Sequence, residues 1–164
     1  MKTKKFTKNK GFTLIEILVV IGIIAILAAI VIIAINPARQ FAQARDTQRT
    51  SNVNTILNAV GQRIADNKGI FGGEFAGLTC PTIPAATTSE QELSILTDTS
   101  AATTTTIGLG CLVPTYVSAL PTDPTTGSAS DTGYKLTVKK IADGSRLQVS
   151  APSGEINGTI AVTR

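Results

Sequence analysis

The residue with the clearest chemical potential is Glu16, an acidic side chain inside an otherwise apolar run that covers residues 12–35. A carboxylate in hydrocarbon is costly, and such a residue indicates a function by default. The chain itself can supply a cationic partner, because a cut between Gly11 and Phe12 would create an α-amino group one helical turn away. An α-amino group is largely cationic at neutral pH. The spacing therefore predicts an ion pair that becomes available once the chain has been cut.

Two interpretations of Glu16 follow from its position. Within one chain, a carboxylate near the start of a helix is favoured by the helix dipole, by roughly 0.3–1 kcal/mol. Between chains, Glu16 would pair with the Phe12 amine of a neighbour, and a desolvated pair of this kind sets register because either charge alone is costly. The second interpretation is favoured, since a carboxylate that served only as a helix cap would cost less free energy in a polar segment than in an apolar one.

The apolar run is long enough to cross a membrane. At about 1.5 Å per residue it extends about 36 Å, against about 30 Å for a bilayer core. The short segment before it is basic, which indicates a cytoplasmic N-terminus; it carries Lys2, Lys4, Lys5, Lys8 and Lys10. Ala28-Ala29 imitates the cleavage site of an ordinary secretory signal, but the apolar core of such signals is only about 7–15 residues.

The remaining composition disfavours several function classes. Five of the fifteen basic residues lie in the leader, which leaves ten against eleven acidic ones, so the rest of the chain is near neutral and nucleic-acid binding is not indicated. The chain contains no histidine, which excludes histidine-based zinc sites and Ser-His-Asp triads within it. We expect no enzyme, no cofactor and no metal.

Calcium is the one metal that requires an argument, because Asp123, Asp131 and Asp143 lie in the C-terminal part. These residues are widely spaced, and each is next to residues that form turns. Ordinary turn chemistry is therefore favoured over a calcium site.

Cys80 and Cys111 are the only cysteines, and they form no C-x-x-C pair. In an exported domain two such residues predict one disulfide. The chain-entropy model gives a loop of this size roughly 3–4 kcal/mol of stabilisation. The alternative is a pair of buried thiols.

Beyond the apolar run the sequence predicts that the helix is interrupted and then continues. Pro37 favours a kink, and Asn36 can cap the restarted helix. The predicted core stripe contains Phe41, Val53, Ile56, Leu57, Val60 and Ile64. The predicted polar surface contains Gln40, Gln43, Arg45, Asp46, Arg49, Asn52 and Arg63. Residues 67–69, Asn-Lys-Gly, form a plausible end of the helix.

The C-terminal part predicts a small antiparallel meander. Tyr134, Leu136 and Val138 alternate with polar residues, and Asp143-Gly144 is a strong signal for a hairpin turn. A second strand follows over residues 146–150. A third contains Ile156, Ile160 and Val162, with Asn157-Gly158 as a bulge or a turn. By contrast, residues 89–96 resemble a capping box that opens a short helix. The fold class is therefore α+β, with the amphipathic helix covering the apolar face of the sheet.

The N-terminal pattern resembles the type III signal of type IV pilins and type II secretion pseudopilins. The matching features are the basic leader, Gly11, the start Phe12-Thr13-Leu14-Ile15-Glu16 and the long aliphatic helix. The segment Leu120-Pro121-Thr122-Asp123-Pro124 resembles the segment before the sheet in major pseudopilins. One departure is that the proline common at about the twenty-second mature position is replaced by Ile33, and Pro37 lies one turn later.

This resemblance implies a pilin-like fold, cleavage by a prepilin peptidase between Gly11 and Phe12, and N-methylation at Phe12. It also implies an assembly role for Glu16, an inner-membrane assembly platform as a partner, and a helical homo-oligomer as the product.

The sequence thus predicts a structural subunit of a pilus or pseudopilus. The precursor would be a single-pass protein of the cytoplasmic membrane, and the mature form would lie in an extracellular or periplasmic filament. The expected segments are a leader (1–11), a transmembrane and filament-core helix (12–36), its amphipathic second half (37–68) and an exported globular head (69–164). The alternative is a signal-anchored exported domain that stays monomeric and binds a ligand, and an enzyme is the weakest hypothesis.

Overall fold

The computed structural model describes residues 11–84, 90–141, 144–156 and 158–164. The chain divides into two compact units, Met1–Gln40 and Phe41–Arg164, and each is described by itself.

The first unit is dominated by helix α1 (Leu14–Ala34), which is apolar on all sides. None of its side chains is buried, and the helix is long and apolar enough to cross a membrane. It ends at Ile35, whose backbone is extended (φ −101°, ψ 122°). The helix thus ends two residues before Pro37, whose ring would clash with the preceding turn of a continuous helix.

Helix α2 (Pro37–Asp66) restarts at the proline, at the position where a missing backbone N–H costs nothing. The Asn36 Oδ1 atom accepts a hydrogen bond from the Arg39 N–H at 3.3 Å, which is the expected cap. At the other end, Gly69 has a φ of +91° and donates its N–H to the Ile64 carbonyl at 2.7 Å. The predicted helix end is therefore confirmed, because a left-handed glycine closes the last turn.

From here on, the head means the whole second unit, Phe41–Arg164. It contains α2 from Phe41 onward and two sheets. A small hairpin is separate from a five-stranded sheet with the order β4-β3-β5-β6-β7. The strands are β1 (Gly73–Phe75), β2 (Leu78–Cys80), β3 (Glu90–Leu96), β4 (Thr106–Gly108), β5 (Asp131–Ile141), β6 (Gly144–Ala151) and β7 (Ile160–Thr163).

The predicted meander is confirmed as the three antiparallel strands β5, β6 and β7. The assignment of Ile156 to the third strand is wrong, because this residue lies before β7 and donates its backbone N–H to Asp46. Leu136 pairs with Val149, and Val149 pairs with Val162, so one apolar row crosses the three strands. Gly144 pairs with Ile141, while Asp143 of the predicted turn and Asn157 of the predicted bulge lie outside the described residues.

The prediction of a short helix over residues 89–96 is wrong, because Glu90–Leu96 forms strand β3 between β4 and β5. Leu93 and Ile95 are fully buried and alternate with more exposed side chains, which is the period of a strand. Across the pair with β5, Glu92 binds Lys135 at 3.0 Å. Ser89, the predicted cap, lies outside the described residues.

The head core lies between α2 and the five-stranded sheet, so the α+β, pilin-like fold class is confirmed. Its fully buried members include Val53, Ile56, Val60, Leu93, Ile95, Tyr134, Leu136 and Val149. The prediction of a core position is wrong for one member of the stripe, Phe41, which is 64% exposed. It lies more than two turns before Val53, the first buried aliphatic side chain of α2.

Three residues assigned to the polar surface are instead buried: Asp46, Arg49 and Arg63. Arg63 donates to the backbone carbonyls of Phe71, Gly73, Phe75 and Leu78 at 2.8–3.4 Å. Its guanidinium also lies 5.3 Å from the centre of the Phe75 ring. A buried cation is tolerated here because backbone carbonyls replace the water that it loses.

Candidate functional site

The predicted cleavage point lies in an exposed segment before α1. Gly11 and Phe12 precede the helix and have no regular secondary structure, and Phe12 is 85% exposed. Among the residues that the structure describes, a Cβ atom built on Gly11 meets nothing within 4 Å. None of these residues therefore requires glycine at this position, and a requirement for a small residue would come from a processing enzyme.

Glu16 takes part in a reciprocal cap with Thr13 at the start of α1. The Thr13 backbone N–H and hydroxyl donate to the Glu16 Oε2 atom at 2.7 and 2.8 Å. In return, the Glu16 N–H donates to the Thr13 Oγ1 atom at 3.3 Å. This capping box satisfies backbone donors that a helix start leaves free.

The capping box was missed in the sequence, although Thr13-Leu14-Ile15-Glu16 has the S/T-x-x-E spacing that defines it. It supports the interpretation of Glu16 as a cap within one chain. It does not use the whole carboxylate, because both Thr13 donors reach Oε2 and no described residue donates to Oε1. As far as the described residues go, the Oε1 atom can accept a further donor.

The helix that carries Glu16 offers an unusually large apolar surface. All of its large side chains are at least half exposed, and Leu14 is 82% exposed. A helix that is apolar all round needs lipid or other protein around it. The single carboxylate therefore marks one end of a surface that otherwise has no polar feature.

A second cluster of charged residues lies in the head; we call it the Arg49 cluster, and it consists of Asp46, Arg49, Asp123 and Glu155. Arg49 is fully buried. Its Nε and Nη2 atoms donate to the two Asp123 carboxylate oxygens at 2.7 and 3.2 Å. Its Nη1 atom donates to Asp46 Oδ1 and to Glu155 Oε1, each at 2.9 Å.

Each carboxylate of the Arg49 cluster also holds other groups. Asp46 accepts the backbone N–H groups of Glu155 and Ile156, both at 2.9 Å to the nearer oxygen. Asp123 accepts those of Thr125 and Thr126 at 2.9 and 3.0 Å. The cluster therefore joins α2 to the loop before β5 and to the loop between β6 and β7.

The electrostatics of the cluster follow from these bonds. Burial alone would raise the pKa of Asp123, but the bonds from Arg49 and from the loop N–H groups outweigh it and hold that pKa well below its usual range. Bonds from Arg45 and then Arg49 lower the pKa of Glu155 to about 2. The backbone N–H of Glu155 is the main cause of the lowered pKa of Asp46. All three carboxylates are thus ionised at neutral pH.

The aspartates considered for calcium have other roles where the structure describes them. Asp123 binds Arg49, Asp131 accepts the N–H of Gly133 at 2.9 Å, and Asp143 lies outside the described residues. In the described parts of the chain no group of three or more acidic, cysteine or histidine side chains could hold a metal ion.

Cys80 and Cys111 are joined by a disulfide. The bond links the end of β2 to the short 3₁₀ helix Gly110–Leu112, and both residues are almost completely buried. Together with Arg63, it fixes the segment that follows α2.

No curated protein and no solved structure matches the chain. Residues 6–34 match the family model described as the prokaryotic N-terminal methylation motif. The match covers Gly11, Phe12, the Thr13–Glu16 capping box and all of α1. This part of the chain is therefore the class III signal of type IV pilins and pseudopilins.

Proposed function

We propose that this protein is a structural subunit of a type IV pilus or pseudopilus. The precursor is inserted in the cytoplasmic membrane, cut after Gly11 and assembled into a helical filament through α1. The observation that carries the proposal is the match of residues 6–34 to the methylation motif, which begins before the cleavage point and ends with α1. The motif favours a structural role over a catalytic one.

The different burial of the two helices supports an assembly in which α1 passes from the membrane into a filament. Helix α1 has no buried residue, whereas α2 buries one face in the core of the head. Lipid covers α1 in the precursor, where every backbone group is satisfied within the helix. Packed α1 helices from other copies of this chain cover the same surface in the filament.

Processing supplies the second half of the assembly site. A prepilin peptidase cuts the exposed peptide bond between Gly11 and Phe12, and the new Phe12 amine is N-methylated. The leader stays on the cytoplasmic side because of its five lysines. The head is exported, in agreement with its disulfide, and an inner-membrane assembly platform receives the mature subunit.

Glu16 then selects the correct neighbour. Its Oε2 atom remains bound to Thr13, and its Oε1 atom accepts the Phe12 amine of an adjacent subunit. In a packed bundle of apolar helices an unpaired charge costs roughly 3–5 kcal/mol. A subunit that enters in a wrong register is therefore rejected.

A second function is favoured by one observation. Because the capping box gives the Oε2 atom of Glu16 two donors within one chain, the carboxylate has a role at the start of its own helix without a neighbour. A signal-anchored exported domain that stays monomeric and binds a ligand accounts for that geometry equally well. It does not account for the cleavage and methylation motif.

Incubation of the full-length precursor with a prepilin peptidase, followed by N-terminal sequencing, separates the two functions. A pilin or pseudopilin gives a mature chain that begins with Phe12. A signal-anchored domain keeps its leader under the same conditions, and that result would overturn the proposal.

A further inference from the structure

We propose that the Arg49 cluster is a register lock, which fixes the position of α2 along its own axis against the sheet of the head. The apolar stripe supplies the attraction between the two layers, and the cluster selects one axial position. The inference concerns the head alone, so it stands or falls independently of filament assembly.

The apolar stripe discriminates weakly between axial positions, because aliphatic residues recur along α2 at the spacing of a helical turn. If α2 moved by one turn, Leu57 would occupy the site of Val53, Val60 that of Ile56, and Ile64 that of Val60. Three of the buried aliphatic sites would be filled again. Apolar attraction is non-directional, so it opposes separation of the layers much more than it opposes sliding.

The Arg49 cluster, by contrast, can form in only one position. The same shift would put Val53 where Arg49 lies and would leave the Asp123 carboxylate, which is fully buried, without its cation. A shift in the opposite direction would carry the Arg49 guanidinium into the apolar site of Val53. A buried charge without a partner is strongly disfavoured, which makes both displaced positions unfavourable.

The geometry of the cluster suits this role because the hydrogen bonds of Arg49, and those that hold its carboxylate partners, each require a particular direction. The Arg49 fork meets Asp123 with two nitrogens, and its third nitrogen meets Asp46 on the preceding helical turn. On the other side, Asp46 is bonded to the backbone of Glu155 and Ile156, and Asp123 is bonded to the backbone of its own loop. A planar guanidinium bound at both edges tolerates little movement.

The position of the cluster adds a second argument. It lies at the N-terminal end of the buried part of α2, where Phe41 and Gln43 are still exposed and the aliphatic stripe has not begun. The first charged residues that α2 buries are thus the ones that determine at which point of the helix its contact with the rest of the head begins. Buried polar groups are known to specify register at the expense of stability in other helical assemblies.

The test is the distance between spin labels on the full-length protein in detergent. The labels are attached at Thr55→Cys on α2 and Arg146→Cys on β6, both of which are exposed positions in the head, with the native disulfide kept oxidised. The parent protein should give one distance. Arg49→Met should add a second population, displaced by up to about 5.4 Å, the rise of one helical turn.

Two further variants control the experiment. Ile56→Ala removes a fully buried apolar side chain and should lower the melting temperature while it keeps the single parental distance. Arg49→Lys retains the charge and should keep the parental distance as the major population. A single parental distance in Arg49→Met would overturn the proposal. If Arg49→Met does not fold, the same distance is measured in Asp123→Asn, which keeps the shape of the site and removes one charge. A second population is again expected, and a single parental distance would again overturn the proposal.

Discussion

Thr13 and Glu16 bind each other at the start of α1, and they use only one of the two carboxylate oxygens. Both Thr13 donors reach Oε2, at 2.7 and 2.8 Å. The same carboxylate can therefore cap its own helix and accept a donor from a neighbour. The two interpretations of Glu16 that its sequence position allows are compatible with one geometry.

Thr13→Val should weaken the start of α1, because it removes the hydroxyl and keeps a β-branched shape. Loss of an N-cap costs about 0.5–2 kcal/mol, so amide exchange at residues 15–17 should become several-fold faster in detergent. Thr13→Ser keeps the hydroxyl and should exchange at the parental rate. Equal exchange in all three proteins would contradict the cap.

Gly11→Val should block processing without altering the structure of the precursor. No described atom lies within 4 Å of a Cβ at this position, so any effect arises at the peptidase. Mass spectrometry after incubation with the peptidase should show the intact leader, whereas Gly11→Ala should be cut more slowly than the parent. A normal amount of chain beginning at Phe12 in Gly11→Val would refute the assignment of the cleavage site.

The stability of the head should depend on pH through the Arg49 cluster. The pKa values of Asp46 and Asp123 are lowered by folding, and that of Glu155 is about 2, against about 4 for such carboxyls in an unfolded chain. The unfolded chain therefore binds more protons below about pH 5, and the free energy of unfolding should fall as the pH decreases from 5 towards 2. Above pH 5 the contribution of the cluster should be constant.

Urea unfolding at pH 7, 5 and 3 measures this dependence. The stability difference between the parent and Glu155→Gln should shrink as the pH is lowered, because the Glu155 carboxyl of the unfolded chain takes up a proton near pH 4, whereas that of the folded chain does so only near pH 2. A difference that is the same at pH 7 and pH 3 would show that Glu155 does not contribute through its charge.

Arg63→Met should destabilise the head although it replaces a charge by an apolar side chain of similar length. Four backbone carbonyls, those of Phe71, Gly73, Phe75 and Leu78, would lose their donor. We expect a loss of roughly 1–3 kcal/mol in the free energy of unfolding, the cost of one buried group left unsatisfied, since Phe71 is buried and the other three residues are partly or fully exposed. Arg146→Met, at an exposed position, should change it by at most about 0.5 kcal/mol.

Much of the architecture could be predicted from local patterns. The continuous apolar run predicted α1, the spacing of Val53, Ile56 and Val60 predicted the buried face of α2, and the alternation from Tyr134 onward predicted β5. In each case the period of the sequence is also the period of the element. The prediction of a short helix over residues 89–96 is wrong because a capping-box pattern overlaps there with the alternation of a strand.

The charged interior could not be predicted in this way. Arg49 and Arg63 lie at the helical spacing of the buried stripe, four residues before Val53 and three after Val60. Their residue type nevertheless favours the surface, because arginine is almost never fully buried without a partner. The main partner of Arg49, Asp123, lies 74 residues later in the chain. The partners of Arg63 are backbone carbonyls, which no side-chain pattern reveals. Such contacts depend on the tertiary fold, which brings distant segments together.

The central claim is that Glu16 joins neighbouring subunits, and the most direct measurement is the yield of filaments formed by Glu16→Ala, counted by electron microscopy. Cleavage at Gly11 and the thermal melting of the head should remain at parental values, because the bonds of Glu16 in the structure are confined to the start of α1. We predict a filament yield lower by roughly 100-fold or more, from a cost of about 3–5 kcal/mol for each unpaired Phe12 amine. Normal filaments from pure Glu16→Ala protein would contradict the account and would leave Glu16 as a helix cap alone.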